Sequence, residues 1–214
     1  MQSIATQLEA ITGRIIENYK QKYQARDRAL QHGRDVIRNS ANAIRAIHRG
    51  HLEEGERLLG TAEELLGEVD EVLRNYPDVY HAGFVHDAQK EYAEARITLA
   101  LVAGRPLPEP EALRVGFAAY LNGAGEAVGE LRRQVLDRLR QRETQRCEEL
   151  LAAMDDIYSI LVTVDFPDAM IGGLRRTTDS VRGILERTRG DLTMALVQSS
   201  LHERLDRLAV DGSA

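Results

Sequence analysis

Four glutamates fall where amphipathic helices should be apolar, and clustered carboxylates on packed faces are the raw material of a divalent-metal site. In the segment 84–95 the inward stripe at three- and four-residue steps runs Phe84, Ala88, Glu91, Ala95, continuing to Leu99 and Val102, with Glu94 one turn beyond Glu91. In the segment 120–130, Glu126 and Glu130 stand one turn apart, and the neighbours on their face are the small residues Ala119 and Gly123. An ionised carboxylate inside a protein is costly unless it is paired or binds a cation. Two such pairs on two helices therefore point to a divalent-metal site built from hard oxygen ligands. The competing reading is a pair of solvated faces, because glutamate is a good helix former and recurs at this spacing on exposed helices.

The elements that must position these residues are helices. Helix formers dominate the 214 residues, tryptophan is absent, there are only 5 prolines, and no stretch alternates apolar and polar residues for long. This predicts an all-α chain, a single bundle of about seven helices spanning 1–214 as one domain. The first helix covers about 3–49, with Ile4, Leu8, Ile11, Ile15, Tyr19, Ile37, Ile44 and Ile47 on its buried side, a bend at Gly33 and a stop at Gly50. Further helices are expected at 51–74, 79–102, 110–142 and 144–162. A sixth runs from the Asp165-Phe166-Pro167-Asp168 break to Arg189, and a seventh is capped by Asp191 and reaches about Leu208, before a frayed tail at 209–214. No repeat or low-complexity segment divides the chain.

Other chemistries find little support. A di-iron bundle needs Glu-x-x-His on two helices, and none of the six histidines has a glutamate three residues before it. His48 and His51 straddle a helix end without an obvious third ligand and read as surface histidines. There is no phosphate loop of the Gly-x-x-x-x-Gly-Lys-Ser/Thr type. Gly172-Gly173 reads as a place for close helix packing. Cys147, the single cysteine, reads as an inert core thiol. No apolar run reaches membrane-spanning length and no signal sequence is visible, so a soluble, cytoplasmic protein without a membrane partner is expected.

The formal charge of −6 argues against indiscriminate nucleic-acid binding, yet only three of the 28 basic side chains, Lys20, Lys22 and Lys90, are lysine. Arginine suits bidentate phosphate recognition, although a GC-rich genome enriches it equally well. Arg34, Arg38, Arg45 and Arg49 form a stripe that could track phosphates. Pairing with the acidic second helix (Glu53, Glu54, Glu56, Glu63, Glu64) is the favoured reading for most of them.

Several segments carry a resemblance. Arg34 to Arg49 (RDVIRNSANAIRAIHR) resembles the first-helix motif of the translin/Trax family, and Lys90-Glu91-Tyr92-Ala93-Glu94-Ala95 resembles the Glu-Tyr-Val-Glu-Ala segment of Trax. Tyr120 to Leu131 is similar to the Trax helix that ends in Gly-Glu-Leu, and Asp165 to Leu192 to the prokaryotic members. The resemblance covers nearly the whole chain. It implies an all-α subunit of a hollow, octamer-like homo-oligomer that binds single-stranded or structured RNA, with a Mg2+-dependent endoribonuclease site in which Mn2+ can stand for Mg2+. By motif position, Glu91 and Glu94 match the two Trax glutamates, and Glu126 stands where Trax has aspartate. Glu130 matches the glutamate of Gly-Glu-Leu, as a further ligand or a base. Translin's basic RNA-binding segment corresponds only loosely to His81, His86 and Lys90, and Arg34 and Arg38 complete the expected RNA contacts. The alternative implied by the same family is a non-catalytic RNA-binding shell.

Overall fold

The computed structural model describes residues 3–211, with the side chains of 203, 204, 206 and 208–211 left aside. Among the described residues the chain is all-α and has nine helices: α1 (Ile4–His48), α2 (Leu52–Leu73), α3 (Pro77–Tyr80), α4 (Phe84–Ala103), α5 (Pro110–Leu113), α6 (Phe117–Arg140), α7 (Thr144–Leu161), α8 (Asp168–Ile171) and α9 (Leu174–Asp211). The local causes are ordinary. The Ser3 hydroxyl accepts a hydrogen bond from Thr6 N at the start of α1. Pro77 and Pro110 open the one-turn helices α3 and α5. Gly104 ends α4 in the left-handed conformation that costs glycine little.

The all-α class expected from the sequence holds, but the helices are divided differently. Six are long and three are single turns. Gly190 and Asp191 do not separate two helices: α9 runs through both for 38 residues, so Asp191 is no N-cap, and its carboxylate instead pairs with Arg132 of α6 at 2.8 Å. Gly33 likewise lies within one unbroken 45-residue helix, α1, roughly 68 Å long at 1.5 Å per residue. The backbone stays helical to Asp211 where a frayed tail is expected from 209; residues 212–214 lie outside the described part.

Two large apolar cores form among the described residues, beside a smaller cluster of Ala29, Val69, Leu73, Val79 and Val85. One is shared by α1, α2 and α4 around Val36, Ile47, Leu59, Leu66, Tyr92 and Leu99. The other lies between α6, α7 and α9 around Val128, Leu131, Leu150, Met154, Leu174 and Val181. The stripe at the start of α1 does not join either: Ile4, Leu8, Ile11, Ile15 and Tyr19 are exposed, as are Met194, Val197, Leu201 and Leu205 near the end of α9. The stripe keeps its helical period, but no described element of the chain covers it.

The two cores meet where α4 packs on α6, and there the backbones approach very closely. A Cβ added at Gly123 would lie 2.7 Å from Lys90 O, 2.9 Å from Glu94 N and 3.0 Å from Ala93 Cβ. The rotation of α4 about its axis is fixed from the other side. Tyr92 is buried, its hydroxyl lies 3.2 Å from Glu63, and Arg96 reaches Glu56 at 2.7 Å and Glu63 at 2.8 Å on α2. At about 100° per residue, Lys90 and Glu94 lie nearly opposite Tyr92 and therefore face α6.

Replacing Gly123 by alanine must push backbone against backbone and is expected to cost about 1–3 kcal/mol, lowering the melting temperature by roughly 2–10 °C. Gly60, which has open space around its Cβ position, is the control: its alanine variant should be neutral or more stable by up to about 1 kcal/mol. Thermal melts followed by circular dichroism compare the two. Equal melting of the two variants would show that the close approach does not matter.

Candidate metal centre

Glu91, Glu94 and Glu126 converge. Each offers a carboxylate oxygen, and the three oxygens lie within 4.8 Å of one another. Glu91 and Glu94 come from α4, and Glu126 comes from α6 one turn after Gly123, so the close approach at that glycine sets their separation. Glu94 is the buried member, only 8 % exposed. Its burial, followed by the neighbouring charges of Glu91, Glu126 and Glu130, pushes its pKa up to about 8. The negative charge of the cluster exceeds the positive charge around it.

Lys90 supplies part of that charge. Its Nζ donates to Glu126 Oε1 at 2.7 Å and lies 3.4 Å from Glu91. Burial works against the Lys90 ammonium, but its hydrogen bond to Glu126 and the charges of Glu126 and Glu91 outweigh it and raise its pKa. Lys90, expected as an RNA contact, therefore stands first of all as a counter-ion inside the carboxylate group. Glu130 lies beside the cluster without belonging to the three-oxygen group: it acts on Glu94 through its charge, and its carboxylate is hydrogen-bonded to His48. His48, read from the sequence as a surface histidine, is buried, with its side chain only 2 % exposed.

Beside the centre opens a cavity of about 1260 Å³, whose wall includes Glu94, Glu126, Lys90, His81, His86, Arg114 and Arg176. His86 Nε2 is buried without a hydrogen-bond partner. It faces Gly172, whose φ of +56° sets a tight turn and where a Cβ would come within 2.9 Å of that nitrogen. Gly172-Gly173 thus serves the cavity wall, where the sequence suggested only helix packing. Arg114 holds the left-handed conformation, φ 55°, uncommon outside glycine. Neither arginine is marked by a motif in the sequence: Arg176 lies in a stretch that carries only the resemblance, and Arg114 within the helix expected at 110–142, which the structure breaks at 114–116.

Arg34 and Arg38 are not brought here. Both are exposed on α1, and Arg38 pairs with Asp35 at 2.8 Å. The acidic face of α2 does not take up the arginine stripe of α1 in the way expected: Glu56 and Glu63 pair with Arg96, and Glu56 also with Arg105. Cys147 is buried, and burial raises its thiol pKa, in keeping with an inert core residue. No helix among the described residues is long and apolar enough to cross a membrane.

No family model matches the sequence. An uncharacterised protein of Methanocaldococcus jannaschii, MJ0175, is 27 % identical over 198 residues, which cover 92 % of this chain and 87 % of that protein. Among solved structures, AfC3PO in complex with duplex RNA is 36 % identical at a TM-score of 0.80, covering 90 % of this chain and 97 % of that one. AfC3PO alone is 35 % identical at 0.79, covering 90 % and 98 %. Apo-NeC3PO, at 19 % identity, shares the fold at a TM-score of 0.76 over 91 % and 98 % of the two chains. These are translin/Trax-like proteins. With more than a third of its residues identical to AfC3PO over nearly the whole of that chain, this protein belongs to the translin/Trax family, as a prokaryotic translin/Trax-like member.

Proposed function

We propose that the protein is a Mg2+-dependent endoribonuclease that acts on RNA as a homo-oligomer. The observation that carries this reading is the convergence of Glu91, Glu94 and Glu126 at the edge of a cavity walled by cationic side chains. The donor set fits a hard divalent cation: three carboxylates, one of them buried and short of positive charge. When bound there, such an ion supplies charge neutralisation at a scissile phosphate and lowers the pKa of a water molecule. The chain's own residues do the rest. Arg114 and Arg176 offer guanidinium groups to phosphates. Binding of duplex RNA by AfC3PO supports the choice of ligand.

The exposed apolar stripes of α1 and α9 support assembly, since a lone chain leaves them in water. Light scattering should give a mass several times the 23.9 kDa of one chain. A monomer at micromolar concentration would remove the oligomer from this reading.

One observation favours a second reading, a non-catalytic RNA-binding shell: Lys90 already occupies part of the carboxylate group. Cleavage of labelled RNA with Mg2+ or with EDTA separates the two. Under the enzyme reading, Glu91→Gln and Glu94→Gln should each lower Mg2+-dependent cleavage by at least about a hundredfold without loss of helicity. Glu126→Asp, which restores the residue of Trax, should retain activity, and Glu126→Gln should lose most of it. Cleavage at the wild-type rate by both glutamine variants at 91 and 94 rules out this centre.

The raised pKa of Glu94 has a separate thermodynamic signature. Between its ordinary value of 4.5 and about 8, the folded metal-free protein keeps a proton that the unfolded chain releases. Stability is therefore undiminished below pH 4.5, falls as the pH rises through this window, and is fully reduced above 8. In EDTA, Glu94→Gln should melt close to wild type at pH 4.5 and above it at pH 9, by on the order of a few kcal/mol, and Mg2+ should narrow the gap. Parallel melting curves at both pH values would contradict the electrostatic account.

A further inference from the structure

A histidine with a buried side chain joins the end of α1 to the middle of α6. His48 Nε2 hydrogen-bonds to Glu130 Oε2, and Gln134 Nε2 lies 3.0 Å from His48 Nδ1. An amide nitrogen only donates. His48 Nδ1 must therefore accept, which places the ring proton on Nε2, where it is donated to the Glu130 carboxylate. Glu130 and Gln134 are one helical turn apart on α6, so a single imidazole spans both, and the ring has almost no contact with solvent. A carboxylate gripped in this way loses freedom at one oxygen and keeps the other oxygen available. The gripped carboxylate is the one next to the Glu91–Glu94–Glu126 group.

We infer that His48, oriented by Gln134, is a positioning residue: through its Nε2–H it fixes the carboxylate of Glu130 beside the metal centre, so that Glu130 can order the water that attacks the phosphate. This rests on the ribonuclease reading above and adds to it a residue on α1. It separates two roles among the four glutamates, three gathered around the cation position and one held back by a histidine. A histidine that only pinned α1 to α6 would affect stability and leave turnover alone.

The test uses the full chain with two substitutions and one spectrum. His48→Leu keeps similar bulk and removes the donor, while His48→Gln keeps an amide donor near the position of Nε2. His48→Leu should lower kcat for Mg2+-dependent RNA cleavage about 10–100-fold, the range for removing an outer-shell partner, with KM within about twofold, and His48→Gln should recover most of the loss. In 15N-histidine-labelled wild type, His48 should show a protonated Nε2 and a bare Nδ1, and Glu130→Leu should shift the Nε2 signal. The spectrum is read on unmodified protein, so it decides the geometry even if His48→Leu folds poorly. A proton on Nδ1, or wild-type kcat in folded His48→Leu, overturns the inference. Absence of cleavage by wild type itself sinks the ribonuclease reading instead, a result distinct from cleavage that is indifferent to His48.

Discussion

The backbone contact between α4 and α6 at Gly123 governs the rest of the molecule. Each half of the bundle has its own apolar core, and neither core requires the other to come so near. The absence of a side chain at Gly123 lets Lys90 O and Glu94 N press against α6, and Gly125, with no Cβ to overlap the Thr177 methyl, performs a similar service toward α9. Close packing of this kind is unforgiving, because interiors have little spare volume. It is also the reason that carboxylates from two helices can share one small space. Had alanine stood at 123, the helices would separate and Glu126 would withdraw from Glu91 and Glu94.

Polar links then fix what the apolar cores leave free. On one side, Tyr92 and Arg96 lock the rotation of α4 against α2. On the other, Asn122 donates to Ile171 O at 2.9 Å and accepts from the Thr177 hydroxyl at 2.6 Å, binding α6 to α8 and α9. Gln89 joins Tyr80 and the first turn of α6 by accepting from Gly116 N at 3.1 Å. Each is a buried or half-buried polar group with its partner in place, and such networks specify one arrangement because any other leaves groups unsatisfied. The cavity wall beside the carboxylates inherits this rigidity.

Much of this was legible in the sequence. The glutamates on apolar stripes announced Glu91, Glu94 and Glu126, because a carboxylate at a core position needs a reason. The all-α class followed from composition and period. What could not be read were features that depend on which helix faces which. Period alone marks the start of α1 as apolar and says nothing of whether this chain or another molecule covers it. Gly190 looked like a helix end, yet a glycine costs only about 1 kcal/mol inside a helix, and the packing of Leu185 and Leu192 in the same core carries α9 through it. His48 beside a terminating glycine looked exposed because the pattern gives no hint that α6 passes there. Lys90, an RNA contact by resemblance, is also held by Glu126 on another helix, a pairing that helical period does not reveal.

The electrostatics of the centre and its stability are one quantity seen from two directions. Holding Glu91, Glu94, Glu126 and Glu130 together raises the free energy of the folded chain, and Lys90, a single positive charge, offsets part of it. The remaining imbalance appears as the proton that Glu94 retains up to about pH 8. Any cation that binds must displace that proton, so its affinity grows as the pH rises through the same window in which the metal-free fold weakens. A centre relaxed by full ion pairing would be more stable and would bind a cation less well. The excess negative charge on α4 and α6 is therefore a property of the packing itself, imposed by the contact at Gly123.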